Sequence, residues 1–466
     1  MCGIVGMFDG SKSKDRVAAE LYMALCLLQH RGKEGAGIAV SDGQTPRCIK
    51  DVGTVPHVFG DDLFTKWDGE SGIGHVRYST SGAGGPDNVQ PIPGLFREKP
   101  FFLAHNGNLV RHRELRESLK TRGYDFKTTT DTEIVAALIH YSAQETFEEA
   151  FIDALLQIEG AYAFVALYEG RVLGVRDPFG NRTLVIGEGR EMIMLASESA
   201  IMDVLHVKPL RDVQPGEMIV IDPAKNKWYS IYRLPKRERK LCVFEAVYFH
   251  RPDSMFDGQR VQSSREAMGH YLWQEHPVAA DIVVPIPNSG RFAAVGVARE
   301  SRLPLEEAFC RSDNLGRTFI EPVGRARARS LSLKLNIIPE LVVGKRVVVV
   351  DDSIVRANVM KGVVQHLRRA GAREIHLRIS SPMYTFPCFY GIDTYRVKDE
   401  LVAARAQGDV EYIRREIGAD SLAYLSLEKL LAAAGGNGGS GFCHACFSGE
   451  YHIPIEKQLV TIGERS

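Results

Sequence analysis

Arg346-Val347-Val348-Val349-Val350-Asp351-Asp352-Ser353-Ile354-Val355-Arg356-Ala357-Asn358-Val359-Met360 is the stretch that decides the fold of the second half of the chain. Four consecutive valines bounded by charges read as a strand buried on both faces, which is the habit of a parallel sheet. The two aspartates stand where that strand ends, and open α/β sheets bind ligands beyond the carboxyl ends of their strands. From Asn358 the apolar residues Val359, Val363 and Leu367 recur at helical spacing, and Gly371 closes the helix. An acidic pair, a short loop and a helix start therefore face one crevice. Paired carboxylates suit ribose hydroxyls or Mg²⁺, and helix-start amides suit a phosphate. The plainer reading of two adjacent aspartates is a solvated acidic pair after an ordinary strand.

Working outward, Asp281 to Pro287 reads as a second buried strand, leading through Asn288-Ser289-Gly290 into a helix from Arg291 to about Glu300. The strand at 346–351 and its loop resemble the phosphoribosyl-pyrophosphate (PRPP) motif of the type I phosphoribosyltransferases, most closely that of the amidophosphoribosyltransferase family. The resemblance implies a mainly parallel α/β domain in which Asp351, Asp352 and Ser289 hold Mg²⁺. It also implies a loop containing Ser353, Arg356 and Asn358 wrapped around the 5′-phosphate. Gly316-Arg317-Thr318-Phe319-Ile320 resembles the family as well. With Arg325, Arg327, Arg329 and Lys334 it forms a basic run expected to act as a lid over anions. Three departures lie in this half: Ala357-Asn358-Val359 replaces the usual Gly-Thr-Thr, Asn288 replaces an Asp, and Asn-Arg-Tyr is missing before Gly316. The lost hydroxyls are expected to weaken PRPP binding or to select another phosphorylated acceptor.

The first half is read from Cys2. Once Met1 is removed, Cys2 carries a thiol and a free α-amine, and an amine of pKa ~7.7–8.0 can serve as base for its own thiol. A chance cysteine in the strand Gly3 to Phe8 is the alternative for this residue taken alone. A helix over Ser13 to Gln29 follows, with Val17, Leu21, Leu25 and Leu28 on one face. Behind it come His30-Arg31-Gly32, Gly74-His75-Val76-Arg77-Tyr78-Ser79-Thr80, Ala104-His105-Asn106-Gly107-Asn108-Leu109 and Thr130-Asp131-Thr132-Glu133. Together these resemble the N-terminal-nucleophile (class II) glutamine amidotransferases, which implies an αββα glutaminase sandwich of the α+β class. By that resemblance Arg77 binds the glutamine carboxylate and Asp131 its amino group. Asn106 and the Gly107 amide form an oxyanion hole, and Arg31 sits in the loop that closes over glutamine. One cation and one anion at fixed separation also suit any α-amino acid. Donors aimed at a developing oxyanion suit an amide-hydrolysing thiolate. The strands expected at 160–167 and 171–175, with Arg176-Asp177-Pro178-Phe179-Gly180 and Ala196-Ser197-Glu198-Ser199, read as scaffold.

The chain has 466 residues, room for two or three domains. Its 58 basic and 58 acidic residues balance, so no net field recommends a nucleic-acid or membrane partner. No apolar run approaches membrane-spanning length and the first residues lack a signal-peptide pattern, so a cytoplasmic protein is expected. The polar stretch 233–240 is the best boundary, giving a glutaminase domain over 1–235 and an acceptor domain over 241–466. Eight cysteines are too few for a secreted disulfide scaffold. Cys443-His444-Ala445-Cys446 alone is ambiguous among redox, zinc and iron–sulfur roles. With Cys242 and Cys388 it matches the four cluster positions of the family's iron–sulfur branch, which implies a structural [4Fe–4S] cluster, with Cys₄ zinc the alternative. Cys26, Cys48 and Cys310 are expected to be buried apolar groups. The whole reading is an amidotransferase releasing ammonia from glutamine at Cys2 and passing it to PRPP, as a dimer or tetramer by family resemblance. A paralogue with another phosphorylated acceptor and a non-catalytic PRPP-binding regulator are the competing readings.

Overall fold

The computed structural model describes residues 1–11, 16–43, 45–60, 67–78, 84–311, 335–435 and 440–455. The expected helix start at Ser13, the end of the Arg77 motif at Ser79-Thr80, and the basic run with Arg317 and Lys334 lie outside them.

Two antiparallel sheets stack in the first half. One has the strand order Lys208–Asp212, Val185–Glu188, Met192–Ala196, Gly3–Asp9, Ser71–Arg77, Gly35–Ser41, Arg47–Val52. The other runs Lys227–Ile231, Met218–Asp222, Arg171–Arg176, Glu159–Tyr168, Lys99–Val110, Ile92–Phe96. The strand Gly3–Asp9 is central and buried throughout. Its residues alternate between two cores, as a strand's two-residue period requires. Ile4 and Phe8 face the second sheet, against Ala104, Val165 and Val172. Val5 and Met7 face the helix Arg16–Leu28, whose Val17, Leu21, Leu25 and Leu28 form the expected stripe. The helices Thr132–His140 and Phe147–Leu156 cover the other sheet, completing an αββα sandwich.

In the second half the strands Ile282–Pro285, Arg346–Asp351, Glu374–Ile379 and Ser421–Tyr424 form a wholly parallel sheet in that order. The valine run does what its composition predicts. Val348 and Val350 pack with the helices Val261–Glu275 and Arg291–Ser301. Val347 and Val349 pack with the helix Ala357–Arg369 on the opposite face. Leu305 bridges Val283 on the far side of the first strand, while Arg346–Asp351 pairs with the near side. The strand order thus reverses about Ile282–Pro285, and the crevice opens beyond the carboxyl ends of these two strands. Among the described residues no helix is long and apolar enough to cross a membrane.

The connector 233–240 is largely exposed, but the halves on either side of it share a core. Met1 and Ala161 pack in one cluster with Leu241, Phe244, Phe389 and Tyr390. A buried ion network runs beside it. The Arg31 guanidinium donates to Glu198 at 2.6 Å and to both oxygens of Glu245 at 3.0 Å, and all three side chains are inaccessible to water. Glu198 comes from the sandwich and also accepts from the Arg251 amide and the Ser254 hydroxyl of the second half, each at 2.9 Å. Glu245 belongs to a π-helical turn, Glu245–Phe249. Three of the remaining cysteines differ from expectation. Cys310 is exposed, on the short strand Phe309–Arg311, and Cys26 and Cys48 are only partly buried. Edge and amphipathic positions leave one side of each residue open, which composition alone does not reveal.

Breaking a buried pair leaves an uncompensated charge, so Arg31→Ala should lower the unfolding free energy by about 3–5 kcal/mol in a urea titration. Burial raises the pKa of Glu245, but Arg31 and His250 outweigh it and hold the carboxyl at about 2, against an ordinary 4.5. A depressed acid contributes stability that is full above the unfolded pKa and is lost as pH falls to the folded one. Stability should therefore fall between pH 4.5 and about 2, and Glu245→Gln should flatten that slope. An Arg31→Ala protein with the parent's urea midpoint would contradict the network's role.

Candidate active site

The strand Ser71–Arg77 lies beside Gly3–Asp9, with Gly3 opposite Val76, and so brings Arg77 to the start of the nucleophile strand. The facing sheet contributes residues 105–108 from the middle of Lys99–Val110. As a result Cys2, Arg77, Gly107 and Asp131 line one small cleft, together with Gln90 and His105. The Cys2 thiol donates to the Tyr78 carbonyl at 3.4 Å and accepts from the Tyr78 amide at 3.5 Å. Burial pushes the thiol's pKa up, opposed by the adjacent α-ammonium and the Tyr78 hydrogen bond. With Met1 in place that amine belongs to Met1, and burial lowers its pKa to about 5. The Cys2 nitrogen is then a peptide nitrogen and becomes a base only once Met1 is removed.

Gly107 adopts φ +148°, and a Cβ there would lie 2.0 Å from the Ala161 carbonyl, so only glycine fits. Asn106 is fully buried, and neither its side-chain nitrogen nor its oxygen has a hydrogen-bond partner among the described residues. Unpaired buried amides are costly and concentrate where a ligand completes them. Asp131 accepts from the Leu109 amide at 2.9 Å and lies 3.7 Å from the His105 imidazole. Burial alone would raise its pKa, but His105 and that amide more than offset it and keep Asp131 ionised. Glu133 holds the loop before Asp131 by accepting from the Lys127 and Thr128 amides at 2.7 and 2.6 Å.

Arg31 does not line the cleft, contrary to its expected place in a loop closing over it. Its Nε donates to the Cys2 carbonyl at 3.0 Å while its other nitrogens hold Glu198 and Glu245. The sequence reading missed Gln90, which accepts from the His105 amide at 2.6 Å and donates to Thr132 at 3.1 Å. It named His105 only as part of a motif; the ring stacks on Phe164 with centroids 4.2 Å apart. Glu198, read as scaffold, and Glu245, given no role, are the two anions of the Arg31 network.

In the second half Ser289, Asp351, Asp352 and Ser353 come together where the strand order reverses. The Ser289 hydroxyl donates to Asp351 at 2.8 Å and the Ser353 hydroxyl to Asp352 at 2.5 Å. Both aspartates are buried, and their pKa values are raised by desolvation, with repulsion from Asp352 adding to the rise at Asp351. Arg356 caps the following helix without a side-chain cap bond and pairs with Glu400 at 3.1 Å. Asn358 and Val359 are exposed in that helix's first turn.

The four remaining cysteines are neighbours. Cys242 and Cys443 sit opposite each other in a parallel strand pair. The Cys446 carbonyl accepts from the Thr385 and Phe386 amides at 3.0 Å, and the Tyr390 amide donates to the Cys388 sulfur at 3.4 Å. Burial lifts the Cys242 thiol to about 11 and Cys443 to about 12. The fully buried Arg182 guanidinium lies in the field of Cys242, Cys388 and Cys443, and its Nε has no hydrogen-bond partner among the described residues. Among the described residues no three His, Cys, Asp or Glu side chains converge tightly enough to hold a single ion as they stand.

Residues 75–203 match the family model for a glutamine amidotransferase domain. The amidophosphoribosyltransferase of Bacillus subtilis is 41% identical over 98% of this chain and 95% of its own length. That of Archaeoglobus fulgidus is 42% identical over 98% of each. The solved glutamine PRPP amidotransferase of B. subtilis, complexed with ADP and GMP, superposes with a TM-score of 0.91 at 39% identity over 99% of both chains. A likeness this even, spanning the sandwich, the parallel sheet and the segment between them, means that the chain belongs to the amidophosphoribosyltransferase family.

Proposed function

We propose that the chain hydrolyses glutamine at Cys2 and transfers the ammonia to PRPP, forming 5-phosphoribosylamine, pyrophosphate and glutamate at the entry to purine synthesis. The observation that carries it is the convergence of Cys2, Arg77, Gly107 and Asp131 on one cleft, in a chain whose second half gathers Ser289, Asp351 and Asp352 at a ligand-binding crevice. The reported relatives share one activity in their names over nearly the whole chain. Nothing favours another phosphorylated acceptor despite the changes at 357–359.

In this mechanism Arg77 takes the α-carboxylate of glutamine and ionised Asp131 its α-ammonium, which fixes the side-chain amide over Cys2. After removal of Met1, the α-amine of Cys2 accepts the thiol proton and the thiolate attacks the amide carbon. The Asn106 side-chain amide and the Gly107 N–H stabilise the resulting oxyanion, each such donor being worth about 3–4 kcal/mol. The α-ammonium returns the proton to the departing nitrogen, so ammonia and a thioester form. Water, with the same amine as base, then cleaves the thioester to glutamate and free thiol. At the second site ammonia attacks C1 of PRPP and pyrophosphate leaves. Ser289, Asp351 and Asp352 are assigned to Mg²⁺, and Ser353, Arg356 and Asn358 to the 5′-phosphate. Arg317 and Lys334, outside the described residues, are assigned to the lid. Mg²⁺ when bound neutralises the pyrophosphate leaving group. Two buried carboxylates whose pKa values are raised by desolvation fit such a cation.

Cys242, Cys388, Cys443 and Cys446 are assigned to a [4Fe–4S] cluster. Four thiol donors beside a buried guanidinium with a spare N–H fit an anionic thiolate cluster. Such a cluster supplies cross-linking of the chain start of the acceptor half to its tail, and the residues themselves already bring these segments together through the Leu241–Cys242 and Phe442–Cys443 pairing.

Cys2→Ala should abolish glutamine-dependent transfer and leave ammonia-dependent transfer intact; glutamine hydrolysis surviving in that variant would refute the nucleophile. Asp131→Asn should chiefly raise KM for glutamine, because it removes a ground-state charge contact. For the acceptor site, a carboxyl whose folded pKa is raised costs stability once pH exceeds its unfolded pKa. Asp351→Asn should therefore raise the metal-free Tm, by about 2–4 °C per kcal/mol relieved, and abolish the Tm rise that Mg²⁺ gives the parent. A parent Tm indifferent to Mg²⁺ would count against the assignment. Anaerobically purified protein should carry about four irons and four sulfides per chain. Cys443→Ser should lower both together with Tm, whereas zinc without iron would replace the cluster by the other Cys₄ reading.

A further inference from the structure

The strand Ile92–Phe96 pairs with Lys99–Val110 only from Lys99 to Leu103. Beyond Leu103, side chains take up the amides. Gln90 accepts from the His105 amide at 2.6 Å and Asp131 from the Leu109 amide at 2.9 Å. The segment Asn106-Gly107 lies between these two anchors, and both anchoring residues line the glutamine cleft.

Gln90 also reaches the opposite wall of that cleft. Its Nε2 donates to the Thr132 hydroxyl at 3.1 Å, and the same hydroxyl lies 3.3 Å from the His105 Nδ1. Gln90 and Thr132 are both buried. On the other side of Asp131, the Asn88 side chain accepts from the Thr129 amide at 2.8 Å. Residues 88–90 thus grip the Asp131 loop before and after its carboxylate. Arg116 holds the Thr128 and Thr130 carbonyls at 2.8 and 2.6 Å, and Glu133 holds the amides of 127 and 128. Those bonds stay within 116–133 and set no distance to the oxyanion strand. The walls are joined at Leu109 and, through Gln90, at His105, which fixes their separation along the whole stretch between.

The loop that carries Gln90 has a firm base. A Cβ on Gly37 would lie 2.2 Å from the Gln90 carbonyl, and one on Gly35 would lie 2.7 Å from a Val89 methyl. These glycines clear a trough in the strand Gly35–Ser41. The Lys50 ammonium closes it, donating to the Val89 carbonyl at 2.6 Å and the Pro91 carbonyl at 3.2 Å. An amino acid held by its α-groups delivers its side-chain carbonyl at a distance set by its number of methylenes. A misplacement of about 1 Å costs on the order of a hundredfold in rate.

We propose that Gln90 is a positioning residue that fixes the separation between Asp131 and the oxyanion segment, and so selects glutamine over amino acids of other side-chain length. The proposal rests on the glutaminase reading above and deepens it.

The test uses the full-length protein with Met1 removed and two diazoketone amino acids that alkylate the Cys2 thiol with loss of N₂. One has the chain length of glutamine and the other is a methylene shorter. Both alkylation rates, glutamine hydrolysis and ammonia-dependent transfer are measured on the same preparations. The parent should favour the longer reagent at least tenfold, since one methylene is commonly worth about 10–200-fold. Gln90→Met keeps the length but loses both bonds, and Thr132→Val removes the hydroxyl at constant shape. Each should narrow the parent's ratio at least about fivefold. The double variant should narrow it no further than the stronger single one, because the two residues form one strut. A smaller narrowing, equal slowing of both reagents, additive effects in the double variant or a matching loss of ammonia-dependent transfer overturns the proposal. If these variants do not fold, Lys50→Met decides. It releases the loop from outside the cleft and should narrow the ratio at least about threefold, and any smaller change overturns the proposal. Glutamine hydrolysis that survives Cys2→Ala brings down the glutaminase reading and this proposal with it. Cys2-dependent hydrolysis with an unmoved ratio in the Gln90 variant overturns the spacing role alone.

Discussion

A guanidinium without access to water sits between two carboxylates, one from each half of the chain, and much of the architecture follows from keeping it paired. Taking Arg31 out of water costs several kcal/mol, and the cost is offset only while Glu198 and Glu245 both remain in place. Because Glu245 lies beyond the connector, the halves cannot separate without parting it from Arg31, which then keeps only Glu198 from its own half. Docking is therefore fixed in orientation, as a hydrophobic patch alone would not fix it. The third bond of Arg31 goes to the carbonyl of Cys2, so the nucleophile takes its place from the same constraint.

The two reaction centres use electrostatics in opposite ways. In the glutamine cleft the charges are already matched: His105 and the Leu109 amide keep Asp131 ionised against burial. The pocket is ready for a zwitterion before one arrives. In the acceptor crevice two carboxylates are buried side by side with hydroxyls as partners, and their proton affinity is raised. That centre holds two carboxylates that burial makes readier to keep a proton, whereas the Asp131 carboxylate of the glutamine cleft stays ionised.

The parallel sheet was legible because Val347 to Val350 can satisfy only a strand with two buried faces, and the aspartates after it mark the crevice. Four lining residues of the cleft, Cys2, Arg77, Gly107 and Asp131, stand in short, ordered motifs that the sequence shows, while Asn106 of the same motif does not line it. Arg31 was misplaced because its motif identifies the loop but not the partner. Glu198 and Glu245 stand 47 positions apart in the chain, and no local pattern links either to Arg31. Gln90 lacked any signal, being a single polar residue in a turn whose importance lies in holding His105 from behind. Exposure of Cys310 was likewise invisible, because edge position is a property of the assembled sheet. The sequence reports what a segment needs; only the fold reports what answers that need.

The parallel pairing of Leu241–Cys242 with Phe442–Cys443 also sets an order of events during synthesis. The last strand of the sandwich ends at Ile231, so that domain can close while most of the second half is still unmade. That pairing cannot form until residue 443 has left the ribosome, roughly 200 residues later. At about 5–20 residues per second that interval is on the order of 10–40 s. Throughout it, Met1 lacks the residues of the second half that eventually bury it. The interval is thus a window in which an aminopeptidase can reach the N-terminus, and the packing of Leu241, Phe244, Phe389 and Tyr390 with Met1 is the event that shuts it.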